Sequence, residues 1–284
     1  RISNPKLTYC TISGFGSTGP YASRPDFDLI AQGMSGLMSI TGHPGSPPAR
    51  NGVPITDLNA GIYAALGILC AYLNRLKTGR GQHVDSSLLE AGLAYTIWES
   101  AIFFSTGVAP GPVGSAHPLT APYQAFNTKD GYVVVGAANQ SNWVRLCNAI
   151  GRGELLTDSR FNNNSLRMEN RDSLVSTLQK TFADKPTLHW LKILEQAGVP
   201  AGPLNNLSDT YEDPQIQARD MVVELNHPTA GKIRNIGIPI KLSDTPGSIR
   251  LPAPTLGQHT DEVLLENGYS DKEINLLREQ KAVC

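Results

Sequence analysis

The feature that most constrains this chain is the apolar run from Asn59 to Lys77, closed by Lys77-Thr78-Gly79. An almost unbroken series of helix formers ending on a basic residue and a glycine predicts one long helix with a marked stop. The rest of the chain reads as built around its start. Asp57 stands there, where an N-cap would stand, with a side-chain oxygen able to accept from free backbone N–H groups and a charge that suits the positive end of the helix dipole. Two readings follow. One is a structural cap, which accounts for most aspartates at such positions; the other is a reactive carboxylate in an apolar, glycine-rich start.

The 284 residues, 40% hydrophobic and 17% charged, suit a globular chain of one large or two moderate domains. A formal net charge of -1 without a basic stripe speaks against a nucleic-acid partner. Cys10, Cys70, Cys147 and Cys284 are scattered without CxxC spacing and read as buried thiols of a reducing compartment, neither a disulfide framework nor a zinc site. The most apolar stretches, around residues 62–73 and 91–104, are interrupted and too short to span a bilayer, so no membrane span is expected. Residues 1–6 lead directly into an apolar strand without a signal or transit pattern. The expectation is a chain whose address was removed or that begins mid-protein.

Leu7 to Ser13 is a β-rich run between Pro5 and Gly14 and reads as a buried strand. A literal G-x-G-x-x-G follows, from Gly14 to Gly19. A dinucleotide fingerprint needs a helix opening at the third glycine, and Pro20 and Pro25 break one there. The better reading is a glycine-permissive loop that lets a ligand approach the backbone. Residues 26–38 predict a short helix with Asp26 or Asp28 near its start, and residues 41–51 an irregular segment rich in Gly and Pro. A second helix is expected from Leu88 to about Ser105, with Leu89, Leu93, Ile97, Trp98 and Phe104 as its core face; His83 reads as structural or surface.

The Gly- and Pro-rich stretch 106–118 is a linker into a second domain or a mobile loop over the site. Beyond it, residues 123–126 and 131–136 predict a hairpin, and 141–151, 171–182 and 187–198 predict amphipathic helices. Arg160, Arg167 and Arg171 read as a solvated face. Residues 221–225, 232–236 and 238–242 read as strands, and 261–267 and 271–279 as a closing helical pair.

Common single-motif sites are missing: there is no GxSxG elbow, HExxH or Walker loop, and the histidines are isolated in sequence, so nothing points to a metal centre. The combination of motifs carries more. Ser13-Gly-Phe-Gly-Ser-Thr-Gly-Pro-Tyr21, Arg24-Pro-Asp-Phe-Asp28 with Gln32-Gly-Met-Ser-Gly36, Asp57-Leu-Asn-Ala-Gly61, Lys77-Thr-Gly-Arg-Gly-Gln82, His117-Pro118 with Ala121-Pro-Tyr123, and Leu256-Gly-Gln-His-Thr260 resemble the family III CoA-transferases, in motif order along the whole chain.

The resemblance implies an α/β fold: part of a Rossmann-like large domain (residues 1–110), a small α+β domain (111–235) and a C-terminal return to the large domain (236–284), in an interlocked homodimer. It implies that Asp57 is a nucleophile in CoA exchange between dicarboxylic acids, succinyl-CoA to glutarate or similar, through an aspartyl anhydride and an aspartyl-CoA thioester. An acyl-CoA is then a substrate, with no permanently bound cofactor. Ser13, Gly14, Phe15, Gly16 and Arg24 fall on the CoA side. Gly114 and His117 fall on a loop, 111–117, that covers the site and keeps water from the anhydride. Arg24 or Arg50 is a candidate partner for a distal carboxylate. A mitochondrial location is also implied. The α-methylacyl-CoA racemases of the same superfamily carry a His where this chain has Phe27, which counts against racemase chemistry. Family members carry a further stretch ahead of the position of Leu7, so the expectation is an incomplete large domain with an intact small one. Such a chain is either active with the remainder supplied or a non-catalytic assembly module.

Overall fold

The computed structural model describes residues 4–283. The chain divides into two compact units after Leu204. The first opens on β1 (Tyr9–Ser13), the short helices α1 (Asp28–Met34) and α2 (Leu37–Ile40), and the 24-residue α3 (Ile55–Thr78). Next, β2 (His83–Ser87) pairs parallel with β1, Tyr9 opposite His83 and Ser13 opposite Ser87. Parallel neighbours need a crossover, and α3 supplies it. Helices α4 (Leu88–Leu93) and α5 (Ile97–Thr106) follow.

A second sheet then forms: β3 (Tyr123–Asn127) and β4 (Tyr132–Gly136) make the expected hairpin, and β5 (Ala201–Pro203) pairs antiparallel with β4. Between β4 and β5 run α6 (Gln140–Ala149), α7 (Asn164–Glu169), α8 (Arg171–Phe182) and α9 (Thr187–Gln196). The second unit holds α10 (Leu207–Glu212), α11 (Pro214–Ala218), the antiparallel pair β6 (Val222–His227) and β7 (Gly231–Ile236), then α12 (Thr260–Glu266) and α13 (Asp271–Glu279). The mixture of helices with parallel and antiparallel strands is an α/β fold.

Helix α3 stops as expected: Gly79 takes φ 70° and its N–H donates to Arg75 O. Its buried positions are small or polar, Thr56, Asn59, Ala60, Ala64 and Ala71. Gly67 lets it lie close on β2, since a Cβ there would stand 2.7 Å from Val84 Cγ1. By length and composition α3 is also able to cross a membrane, so the expectation that every apolar run is too short fails. Its contacts with β1, β2 and α4 are those of a layer helix.

Several expectations change. Strand β1 is half-buried to exposed rather than buried. The single helix from Leu88 is two helices: Thr96 Oγ1 donates to Leu93 O at the end of α4, and Thr96 is the residue from which α5 starts. Most of the supposed core face is exposed, with Leu93, Ile97, Trp98 and Phe104 open and Leu89 half-buried. Residues 238–242 form no strand, and Pro239 has no N–H to give a ladder. Cys147 is buried, but Cys10 is only half-buried and Cys70 is exposed; Cys284 lies outside the described residues.

Arg167 is not part of a solvated face. It is fully buried, donating from Nε to Ala121 O (2.7 Å) and from Nη1 to Gln140 Oε1 (2.9 Å) and Phe161 O (3.1 Å). Its guanidinium lies 5.1 Å from the centre of the Trp143 ring, and burial pushes its pKa down. Each bond reaches a different loop or helix, so this one cation ties the entry of β3 to α6 and α7.

Candidate active site

Helix α3 begins at Ile55, after Pro54, so Asp57 is its third residue and not its cap. Proline at the cap position offers no side-chain acceptor. The free amide of Thr56 is instead met from another helix: Asp28 Oδ1 accepts from Thr56 N (3.0 Å) and from Thr56 Oγ1 (2.8 Å). Asp28 Oδ2 accepts from Gln32 Nε2 (2.7 Å), and Gln32 Oε1 accepts from Asn51 N (2.8 Å). Thr56 and Gln32 are 0% exposed.

Asp57 itself is exposed, and its carboxylate makes no hydrogen bond among the described residues. Partial desolvation at the helix start raises its pKa first, and the charge of Asp28 adds to the rise. The charge that suits the positive end of the helix dipole is thus opposed by desolvation and by a neighbouring carboxylate. Asp26 completes a trio of carboxylates. Both of its oxygens are shut off from water and have no hydrogen-bond partner among the described residues. Burial raises its pKa most; the charges of Asp57 and Asp28 add, while the neighbouring Phe27 N–H opposes the rise without meeting hydrogen-bond geometry.

The loop after β1 reaches this trio through Gly14, where a Cβ would lie 2.2 Å from Asp26 Cβ. The loop folds on itself: Ser13 Oγ accepts from Gly16 N (3.1 Å), and Gly16 takes φ 89°. Phe15 meets Tyr21 edge-on at 5.7 Å, and the Arg24 guanidinium lies 4.0 Å from the Tyr21 ring centre. Ser13, Gly14, Phe15, Gly16 and Arg24 are thus one local structure beside the carboxylates, and α1 starts only at Asp28, as Pro20 and Pro25 predict. Asp85 on β2 anchors the loop from below, accepting from both N and Oγ of Ser17, and those bonds lower its pKa.

Gly114 and His117 belong to a different neighbourhood. Gly114 takes φ 67°, donates its N–H to Gly42 O (2.8 Å) and leaves room for His43, whose Nδ1 a Cβ would meet at 2.9 Å. His117 lies between Trp98 (4.8 Å, edge-on) and Tyr123 (5.3 Å, stacked). Its Nδ1 accepts from Leu119 N (3.1 Å), which puts the ring proton on Nε2. A cavity of about 630 Å³ adjoins this loop, lined by His43, Gly114, Gln124, Tyr132 and Arg171 among others. None of the three carboxylates lines it. Arg24 is held on Tyr21, and Arg50 donates to Asn51 O (3.3 Å).

Sequence reasoning missed the Asp28–Thr56 contact, although Pro54 carried a signal: a helix whose cap residue has no acceptor needs one from elsewhere. Among the described residues no three His, Cys, Asp or Glu side chains are grouped to hold a metal ion. What the site offers is an accessible carboxylate of raised proton affinity in the first turn of a long helix, a group suited to covalent acyl transfer.

The family model described as CoA-transferase family III matches residues 1–260. Succinyl-CoA:glutarate CoA-transferase of Mus musculus is 40% identical over 262 residues, 92% of this chain and 60% of the relative. The Homo sapiens protein of that name is 39% identical over 274 residues, 96% of this chain and 63% of the relative. The chain thus spans 60–63% of the length of these two relatives. The crystal structure of a CAIB/BAIF family protein from Brucella suis matches with a TM-score of 0.79 at 35% identity, covering 93% of this chain and 68% of that one.

Proposed function

The chain belongs to CoA-transferase family III, and from that premise we propose that it serves an enzyme moving CoA between dicarboxylic acids, succinyl-CoA to glutarate or similar, with Asp57 as the nucleophile. The carrying observation is the Asp57 carboxylate itself: exposed, without a hydrogen-bond partner among the described residues, and in the first turn of α3. Asp57 attacks the thioester carbonyl, giving a mixed anhydride and CoA thiolate. The thiolate attacks the aspartyl carbonyl and releases the first acid as its carboxylate. The acceptor carboxylate then attacks the aspartyl thioester, freeing the thiolate again, and the thiolate takes the new acyl group and restores Asp57. Each step exchanges one acyl bond for another, so a difficult swap becomes four tractable ones.

Ser13, Gly14, Phe15, Gly16 and Arg24 bind the CoA side, a role supported by their single loop at the carboxyl end of a parallel strand, where α/β sheets bind ligands. Gly114 and His117 belong to the cover that excludes water. In this reading residues 1–110 and 236–284 are parts of a large domain, 111–235 form the small one, and the protein is an interlocked mitochondrial homodimer. The exposed apolar residues of α3 and α5 favour one contrasting role, an assembly module without turnover.

Incubation with succinyl-CoA and glutarate, followed by hydroxylamine, tests both. The expected result is a hydroxamate at Asp57, and Asp57→Asn removes exchange by about 10⁴-fold or more while the fold persists. Unchanged turnover in Asp57→Asn overturns the nucleophile, and a folded protein without hydroxamate favours the assembly role.

A further inference from the structure

We propose that Asp28 is the positioning residue of this site: resting on the nucleophilic reading of Asp57, its carboxylate clamps the first turn of α3 from a separate helix and so sets where the Asp57 carboxylate stands.

The geometry is specific. Thr56 is the second residue of α3 and Asp57 the third, so whatever holds Thr56 holds the backbone from which Asp57 projects. Asp28 takes both donors of Thr56 on one oxygen and Gln32 Nε2 on the other. Gln32 in turn grips the Asn51 amide, in the segment that leads into α3. Two fully buried side chains therefore lock Asp28 from both sides, and the clamp joins α1, the 51–54 segment and α3. Support of this kind keeps a reactive group within its productive geometry.

A plain tertiary cap would also use such bonds. It would steady the helix start and leave the chemistry alone. The two roles separate in kinetics, because displacement of a reacting group by about 1 Å costs about 100-fold in rate. They also separate in pH dependence. Asp28 on α1 and Asp26 in the segment before it are the charged groups placed with Asp57. On the other elements packed against α3, Glu90 of α4 bonds Ser87 Oγ and Asp85 of β2 bonds Ser17, while His83 of β2 bonds Thr11 Oγ1.

The experiment compares Asp28→Ala, Asp28→Asn and Asp57→Asn in the active protein, measuring kcat, KM, the pH profile and hydrogen exchange at the Thr56 amide. Asp28→Ala is expected to free the Thr56 amide and lower kcat about 100-fold, with KM for the CoA thioester within about twofold. Asp28→Asn keeps an oxygen for Thr56 but turns its amide donor toward Gln32 Nε2, so it restores part of kcat. It also moves the acid limb of kcat/KM to lower pH, since removing the neighbouring charge lets Asp57 ionise more readily. Full activity in Asp28→Ala with the Thr56 amide freed overturns the proposal. So does an activity loss that follows thermal stability and is not rescued by Asn. Should Asp28→Ala not fold, Thr56→Val removes one of the two donors and is expected to show the same kcat-selective loss, smaller in size; a normal kcat there overturns the clamp. Retained turnover in Asp57→Asn instead removes the nucleophile and the Asp28 role together, a result distinct from a fully active Asp28→Ala.

Discussion

Helix α8, 12 residues long, buries Leu174, Leu178 and Phe182, while α3, 24 residues long, buries nothing larger than Asn59. The contrast extends to the regions around them. Every residue of the hydrophobic core cluster lies between Ala121 and Val199, where β3, β4 and helices α6 to α9 enclose Phe126, Trp143, Phe161 and Phe182. In residues 4–120 the large apolar side chains Ile62, Leu66, Leu73 and Leu76 of α3, and Ile97, Trp98 and Phe104 of α5, are exposed. Both regions are apolar in sequence. What differs is which residues meet another element: small ones on α3, which let backbones approach, and large ones on α8, which fill volume. The region with the open face is the one that carries the candidate nucleophile.

Truncation offers the hardest test of that contrast. Phe182→Ala, at a fully buried ring, is expected to cost about 3–5 kcal/mol in chemical denaturation. Leu66→Ala, 56% exposed within one chain, is expected to cost no more than about 0.5 kcal/mol where the chain stands alone. A Leu66→Ala cost of about 2 kcal/mol or more would break the comparison by showing that the face of α3 is covered in solution.

A smaller effect concerns charge. Asp26 has a folded pKa above the 3.8 of a free side chain, so the folded form holds its proton more tightly than the unfolded chain, and stability falls as pH rises through the folded value. Asp26→Asn is therefore expected to stabilise at pH 7, because it removes a charge from two oxygens that have no hydrogen-bond partner among the described residues. The gain should vanish below about pH 3.8, where Asp26 is protonated in both states. Thermal melts at the two pH values decide it; an equal gain at both would remove the charge explanation.

The smallest effect is a difference in labelling. Burial pushes the Cys147 thiol up to about 12, and Cys147 sits inside the enclosed core, whereas Cys70 stands exposed on α3. A maleimide at neutral pH is expected to modify Cys70 in the native protein and Cys147 only after unfolding. Early labelling of Cys147 would show the closed region to be opening.

Much of the fold was legible because it rests on neighbours in sequence. The Gly79 stop of α3, the β3–β4 hairpin around Lys129-Asp130-Gly131, and helices α8, α9 and α13 all follow from local hydrogen bonds and turn chemistry. The proline-broken exit of the G-x-G-x-x-G loop did too. Strand β2 was not legible: His-Val-Asp-Ser-Ser has little β character, and it is a strand because β1 offers it a parallel ladder. Arg167 looked like solvated charge because the carbonyls of Ala121 and Phe161 that receive it belong to other segments.

The sequence by itself determined that a long helix ends at Gly79, that Asp57 lies in or beside its first turn, and that the motifs run in the order of a CoA-transferase of family III. Only the tertiary structure decided that Asp57 is not the cap. The helix start is held by Asp28, 28 residues before Thr56 along the chain. Local periodicity and capping rules act over about four residues, so they locate a helix end. Which distant carboxylate reaches it depends on how α1 and α3 pack, and that is settled only when the chain has folded.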